Sequence, residues 1–256
     1  MGSKPRQKTA TLKAQSPSWI GWESVRTESV SARIVDQVWN ALFRGELKPG
    51  DFLGSEIQLA QKLGVSRNPV RDAFRTLQAL GVIDITMGAR GGARIAAGDP
   101  NRFARALAVQ LKLVGISIED MFDTQIAIEV MAAELASKRA TAGDIARLRS
   151  IIDELQAISA EPPGSSRFTE ASMRFHEALV EAAHNRALSA HFKAIRTVLE
   201  PIYARRESDA VAKRVIASHK QLVESIASKD TERATTLMRR RLEVVRAHQL
   251  LKVVDR

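Results

Sequence analysis

Leu63-Gly64-Val65-Ser66-Arg67-Asn68-Pro69-Val70-Arg71-Asp72-Ala73-Phe74 is the stretch that decides how this chain is read. Gly64 closes one segment, and Ser66 is of a type that caps the start of the next. Pro69 falls in the first turn of that next helix, where a missing N–H breaks no helical bond. Val70, Ala73, Phe74 and Leu77 then recur at helical spacing and define an apolar stripe. Asn68, Arg71 and Arg75 share a neighbouring stripe, with Arg67 at the leading end. A helix that is apolar toward its own domain and basic away from it has the form that enters the major groove of DNA.

The flanks are consistent with this. Val30, Ile34, Val38 and Leu42 predict a helix over 30–43, with Gly45 near its end. Leu47-Lys48-Pro49-Gly50-Asp51 is a turn signal. Ser55 is placed to cap a short second helix whose Leu59, Ala60 and Leu63 face inward. After Gly81, Val82–Thr86 predicts a short strand, Met87–Gly92 a glycine-rich turn, and Ala93–Ala96 the return strand. Three helices followed by a two-stranded wing make a winged helix-turn-helix, assigned to residues 26–98. Gly98-Asp99-Pro100 marks its boundary.

The chain has 256 residues, enough for two small domains. Its 39 Lys and Arg against 29 Asp and Glu leave a formal charge of +10, which points to a polyanionic partner. The excess is +6 over residues 1–98 and +4 over the longer remainder, so the N-terminal part is the expected contact. Cysteine is absent, which excludes disulfides and thiolate metal sites. No apolar run approaches the ~20 residues of a membrane span. The basic start, Met1–Gln15, has no apolar stretch behind it. A cytoplasmic protein with no membrane partner is expected. Residues 1–25, rich in Lys, Ser, Thr and Pro, are read as a disordered basic tail.

Residues 99–256 read as all-helical, a bundle of six or seven helices. Ser117 and Thr141 are placed as caps, the latter with Asp144 three residues on. Pro201 must kink or end the helix that holds it, and Asp230 is placed to cap the last one. The fold class is therefore mainly α.

Gly45, Pro49-Gly50, Leu59-Ala60, Val65–Arg71 and Gly81 together resemble the GntR family of bacterial transcription regulators. The helical half is similar to the FCD effector-binding domain of the FadR subfamily. The matching pieces are Glu129 with Ala132-Ala133, Phe175-His176-Glu177-Ala178-Leu179, Asn185, His219, and Asp230 with Ala234. The resemblance implies that Arg67 and Arg71 read base edges or clamp phosphates, that Asn68 contacts a base or phosphate, and that Ser55 and Ser66 sit at phosphate-attracting helix starts. It also implies that Arg90, at the wing tip, probes the minor groove or its backbone. For Arg75 and Arg94, a merely solvated face stays open.

FCD domains often hold a divalent metal through an Asp, a His one turn later, and two more His. Here His176 and His219 occupy two of those places, but Ser172 and Arg241 occupy the others. Serine is a poor neutral ligand and arginine a permanent cation, so neither a metal nor another cofactor is expected. Arg241 would instead grip the carboxylate of an effector, with Ser172, His176 and His219 at the polar end, the alternative being that it points to solvent beside Arg239 and Arg240. Gln125 stands where the family commonly has Arg. The whole reads as a metabolite-responsive regulator, expected to be a repressor. It would act as a homodimer on a palindromic double-stranded operator and respond to a small organic acid or an acyl-CoA. No Ser-His-Asp spacing or nucleotide fingerprint supports an enzyme using His176 and His219. A charge-driven DNA-coating protein is the other alternative.

Overall fold

The computed structural model describes residues 29–88, 91–160, 167–203 and 209–254. The expected tail over 1–25 and Arg90 lie outside these residues. The chain divides into two compact units between Ala97 and Gly98.

In the first unit, α1 (Val30–Phe43), α2 (Glu56–Leu63) and α3 (Arg67–Ala79) pack around one small core. Val70, Ala73 and Leu77 are fully buried and Phe74 nearly so, which makes the apolar stripe of α3 the centre of that core. Ile34 and Val38 of α1 and Ala60 of α2 close over it. Gly64 ends α2 in the left-handed conformation at φ 65°, which lets the chain turn sharply into α3.

The expected two-stranded wing is present, and a third strand joins it to make an antiparallel sheet in the order β1-β3-β2. β2 (Ile83–Thr86) and β3 (Gly92–Ile95) form the hairpin, pairing Ile83 with Ile95 and Ile85 with Ala93. β1 (Phe52–Gly54) adds to the other edge of β3, pairing Phe52 with Arg94 through a register shift. In the hairpin turn, a Cβ on Gly91 would lie 2.3 Å from the Thr86 carbonyl oxygen, so only glycine fits there.

The second unit contains seven helices among the described residues: α4 (Pro100–Val114), α5 (Ile118–Arg139), α6 (Ala142–Ser159), α7 (Arg167–Ala182), α8 (Arg186–Tyr203), α9 (Asp209–Ala227) and α10 (Thr231–Val254). α5 is the central helix, in contact with α7, α8, α9 and α10. Ser117 and Thr141 both form capping boxes, with Asp120 and Asp144 respectively. Asp230 caps α10 by accepting from the Arg233 N–H at 3.0 Å. Pro201 lies inside α8, near the end of its described residues. No helix among the described residues is long and apolar enough to cross a membrane.

The core of this unit is mostly aliphatic and aromatic, but His219 and Glu129 are both fully buried in it. The His219 ring stacks on Phe175, with centroids 3.7 Å apart. Burial first, then the Arg241 cation, then His176, hold its pKa well below the ordinary 6.5, so the ring is neutral at neutral pH.

Two predictions follow from this packing. Leu77 is fully buried and Leu80, three residues on, is 56% exposed. Leu77→Ala should cost roughly 2–5 kcal/mol in denaturant unfolding, and Leu80→Ala no more than about 0.5 kcal/mol. As pH falls below the ordinary histidine value, the unfolded chain takes a proton at His219 that the folded chain refuses. Stability should therefore fall with pH, at up to about 1.4 kcal/mol per unit. Urea unfolding at about pH 7 and about pH 5.5 should show the wild type losing more than His219→Phe does. Equal losses would remove His219 as the cause.

Candidate nucleic-acid interface and a polar cavity

The first candidate site is the face of α3 beside its buried stripe. Once Val70, Ala73, Phe74 and Leu77 are in the core, Arg67, Asn68, Arg71 and Arg75 must lie elsewhere on the helix. The side chains of Arg67 and Arg71 are 56% and 40% exposed. They stand one turn apart and share a carboxylate from α2. Arg71 Nε donates to both oxygens of Glu56, at 3.1 and 3.3 Å, and a terminal nitrogen of Arg67 lies 3.9 Å from one of them.

Asn68 is exposed. Arg75 is also exposed and pairs with Asp72 at 3.7 Å. Arg94 is a sheet residue: it donates to the Gly50 carbonyl at 3.1 Å and lies over the Phe52 ring. Ser55 caps α2 in a capping box with Gln58. Ser66 occupies the N-cap position of α3, but its hydroxyl makes no capping hydrogen bond, which corrects the expectation from residue type alone. The spacing of Arg67 and Arg71 was legible in the sequence. Glu56 was not, because nothing local in the chain joins it to a residue fifteen positions away.

The second candidate site is a cavity of about 660 Å³ in the helical unit. Gln125 from α5, Ser172 and His176 from α7, and Arg241 from α10 all line it. Four of the five expected effector residues are thus brought together. The fifth, His219 on α9, does not line it; it is buried behind His176, with ring centroids 5.4 Å apart.

The polar end is organised by Glu129, whose role the sequence reading missed. Its carboxylate accepts from Gln125 Nε2 at 2.7 Å and from His176 Nδ1. A carboxylate only accepts, so Nδ1 of His176 carries a hydrogen, and a bond to anything in the cavity falls to Nε2. Two more cations, Arg214 and Arg240, line the cavity beside Arg241, and so does His248. His184 and His191 lie elsewhere, on Asp144 and on the Ala187 carbonyl respectively. The arrangement offers fixed donors around a pocket with cationic walls. It suits binding a small anion.

The chain matches two family descriptions: "Bacterial regulatory proteins, gntR family" over residues 30–92, and "FCD domain" over residues 120–244. The HTH-type transcriptional regulator LutR of Bacillus subtilis (strain 168) is 30% identical over 144 residues, which are 56% of this chain and 64% of LutR, just under two thirds of that protein's length. The galactonate operon transcriptional repressor of Escherichia coli (strain K12) is 27% identical over 79% of this chain and 89% of its own length. Among solved structures, a Streptococcus agalactiae GntR shares the fold, with a TM-score of 0.62 at 19% identity over 85% of this chain and 99% of that one. The matched families are transcription regulators rather than enzymes. With a DNA-binding unit of one description followed by an effector-binding unit of the other, this chain belongs to the GntR family of bacterial transcription regulators, in an arrangement that fits the FadR subfamily.

Proposed function

We propose that the chain is a homodimeric repressor that reads a palindromic operator through α3 and releases it when a small hydroxy acid enters the cavity. The observation that carries the DNA half is the two-faced α3, with a buried apolar stripe and Arg67 and Arg71 exposed one turn apart. Arginine forks suit guanine O6 and N7, while Asn68 suits adenine or a phosphate. Arg75 and the starts of α2 and α3, at Ser55 and Ser66, contribute phosphate contacts that position rather than specify. One α3 reads one half-site, so a two-fold pair fits a palindrome.

Effector binding rests on the cavity. Its volume lies within the ~300–1,000 Å³ of small-molecule sites, which suits a small acid. Arg241 takes the carboxylate, and Ser172, Gln125 and the Nε2 of His176 take hydroxyls. The E. coli relative named for the galactonate operon supports an acid of this class. For the operator to be released, the acid must bind the non-DNA conformation more tightly.

The same residues do not fit a divalent metal. Both oxygens of Glu129 and Nδ1 of His176 are committed to one another and to Gln125. His219 is fully buried, with the Arg241 cation close enough to disfavour added positive charge there, so a dication would meet both desolvation and repulsion. Among the described residues, no group of three or more His, Asp or Glu is placed to hold a metal.

Four outcomes are expected. Arg71→Ala should erase discrimination between operator and random DNA, read by gel shift, while leaving the melting temperature unchanged; retained discrimination would refute the role. A thermal-shift panel of hydroxy acids, simple carboxylates and CoA thioesters should give its hit among the hydroxy acids. Arg241→Gln should weaken that hit about tenfold or more; an unaffected hit would remove Arg241 from the site. Elemental analysis of protein purified without chelator should find no stoichiometric metal, and one zinc or nickel per chain would reverse the reading.

A further inference from the structure

Glu56 places a negative charge in the face that is to meet a polyanion. Its oxygens receive Arg71 Nε at 3.1 and 3.3 Å and lie 3.9 Å from an Arg67 terminal nitrogen. We infer that Glu56 is a positioning residue for sequence discrimination: it holds Arg71 by Nε so that the guanidinium presents its two terminal nitrogens to a base. This rests on the reading of α3 as the DNA-reading helix.

A guanidinium can grip a planar acceptor pair in two ways, end-on through its terminal nitrogens or side-on through Nε and one of them. With Nε on Glu56, the side-on edge is occupied and the end-on edge remains. That is the edge whose two parallel N–H bonds match guanine O6 and N7. The carboxylate also lies between two like charges one turn apart, so it relieves the repulsion that would splay Arg67 and Arg71.

A surface built for affinity alone would omit Glu56. An anion here weakens the attraction to every phosphate, whatever the sequence. It therefore lowers non-specific binding while stiffening the group that reads bases, and both effects raise discrimination. Helix stability does not account for the pairing. The capping box of α2 is made by Ser55 and Gln58, and an acid in the first turn of α2 needs no arginine from α3.

The test uses the full chain and two duplexes: one selected by the wild type from random-sequence DNA, and the same duplex shuffled. Binding is measured across salt concentrations. Glu56→Gln, which removes the charge and keeps the shape, should bind the shuffled duplex more tightly, with a salt slope steeper by up to about one unit. Its selected-to-shuffled affinity ratio should fall about tenfold. Glu56→Asp keeps the charge but falls one methylene short, so its ratio should fall with the salt slope unchanged. In an Arg71→Ala background, Glu56→Gln should leave the ratio where Arg71→Ala alone puts it.

Unchanged ratios in both single variants would overturn the proposal. So would a lowered melting temperature with the ratio intact, or an equal effect of Glu56→Gln with and without Arg71. A wild type that selects no sequence, or an Arg71→Ala variant with an undiminished ratio, would instead fail the reading of α3 itself.

Discussion

A helix of thirteen residues has room to bury one stripe, and α3 spends that stripe on Val70, Ala73, Phe74 and Leu77. Turning α3 about its axis would expose Phe74 and drive an arginine into an apolar core, and both changes are strongly unfavourable. The orientation of Arg67 and Arg71 is thus a consequence of hydrophobic burial of the neighbouring stripe of the same helix. α1, α2 and the sheet complete that core and so hold the basic face in place.

The helical unit meets the opposite problem. It keeps charged and polar groups inside, where each one needs a partner. Glu129 is fully buried and takes hydrogen bonds from both Gln125 and His176. Those two bonds orient the donors that face the cavity, so a residue with no place in the cavity wall sets the geometry of the wall. His219 takes a different route: it is buried neutral against Phe175.

Features governed by local periodicity were legible before the structure. α1 and α3 follow from apolar spacing, the start of α5 from the capping residue Ser117, and the start of α6 from Thr141 with an acid three positions on. Features that depend on pairing across the chain were not. β1 is three residues long, too short to alternate, and it exists because β3 offers an edge some forty residues later. Glu129 carried a family resemblance in the sequence but no role, because its partner His176 lies 47 positions away. The Glu56–Arg71 pair likewise crosses between helices. Ser66 shows the limit from the other side: residue type located the start of α3 correctly but not the hydroxyl's bond.

The two units have separate cores with no shared buried residues. A substitution within one core changes side-chain packing in that core alone. Over evolutionary time the DNA address and the chemical signal are therefore free to diverge at different rates. A duplicated gene can rework the residues of one unit while keeping those of the other.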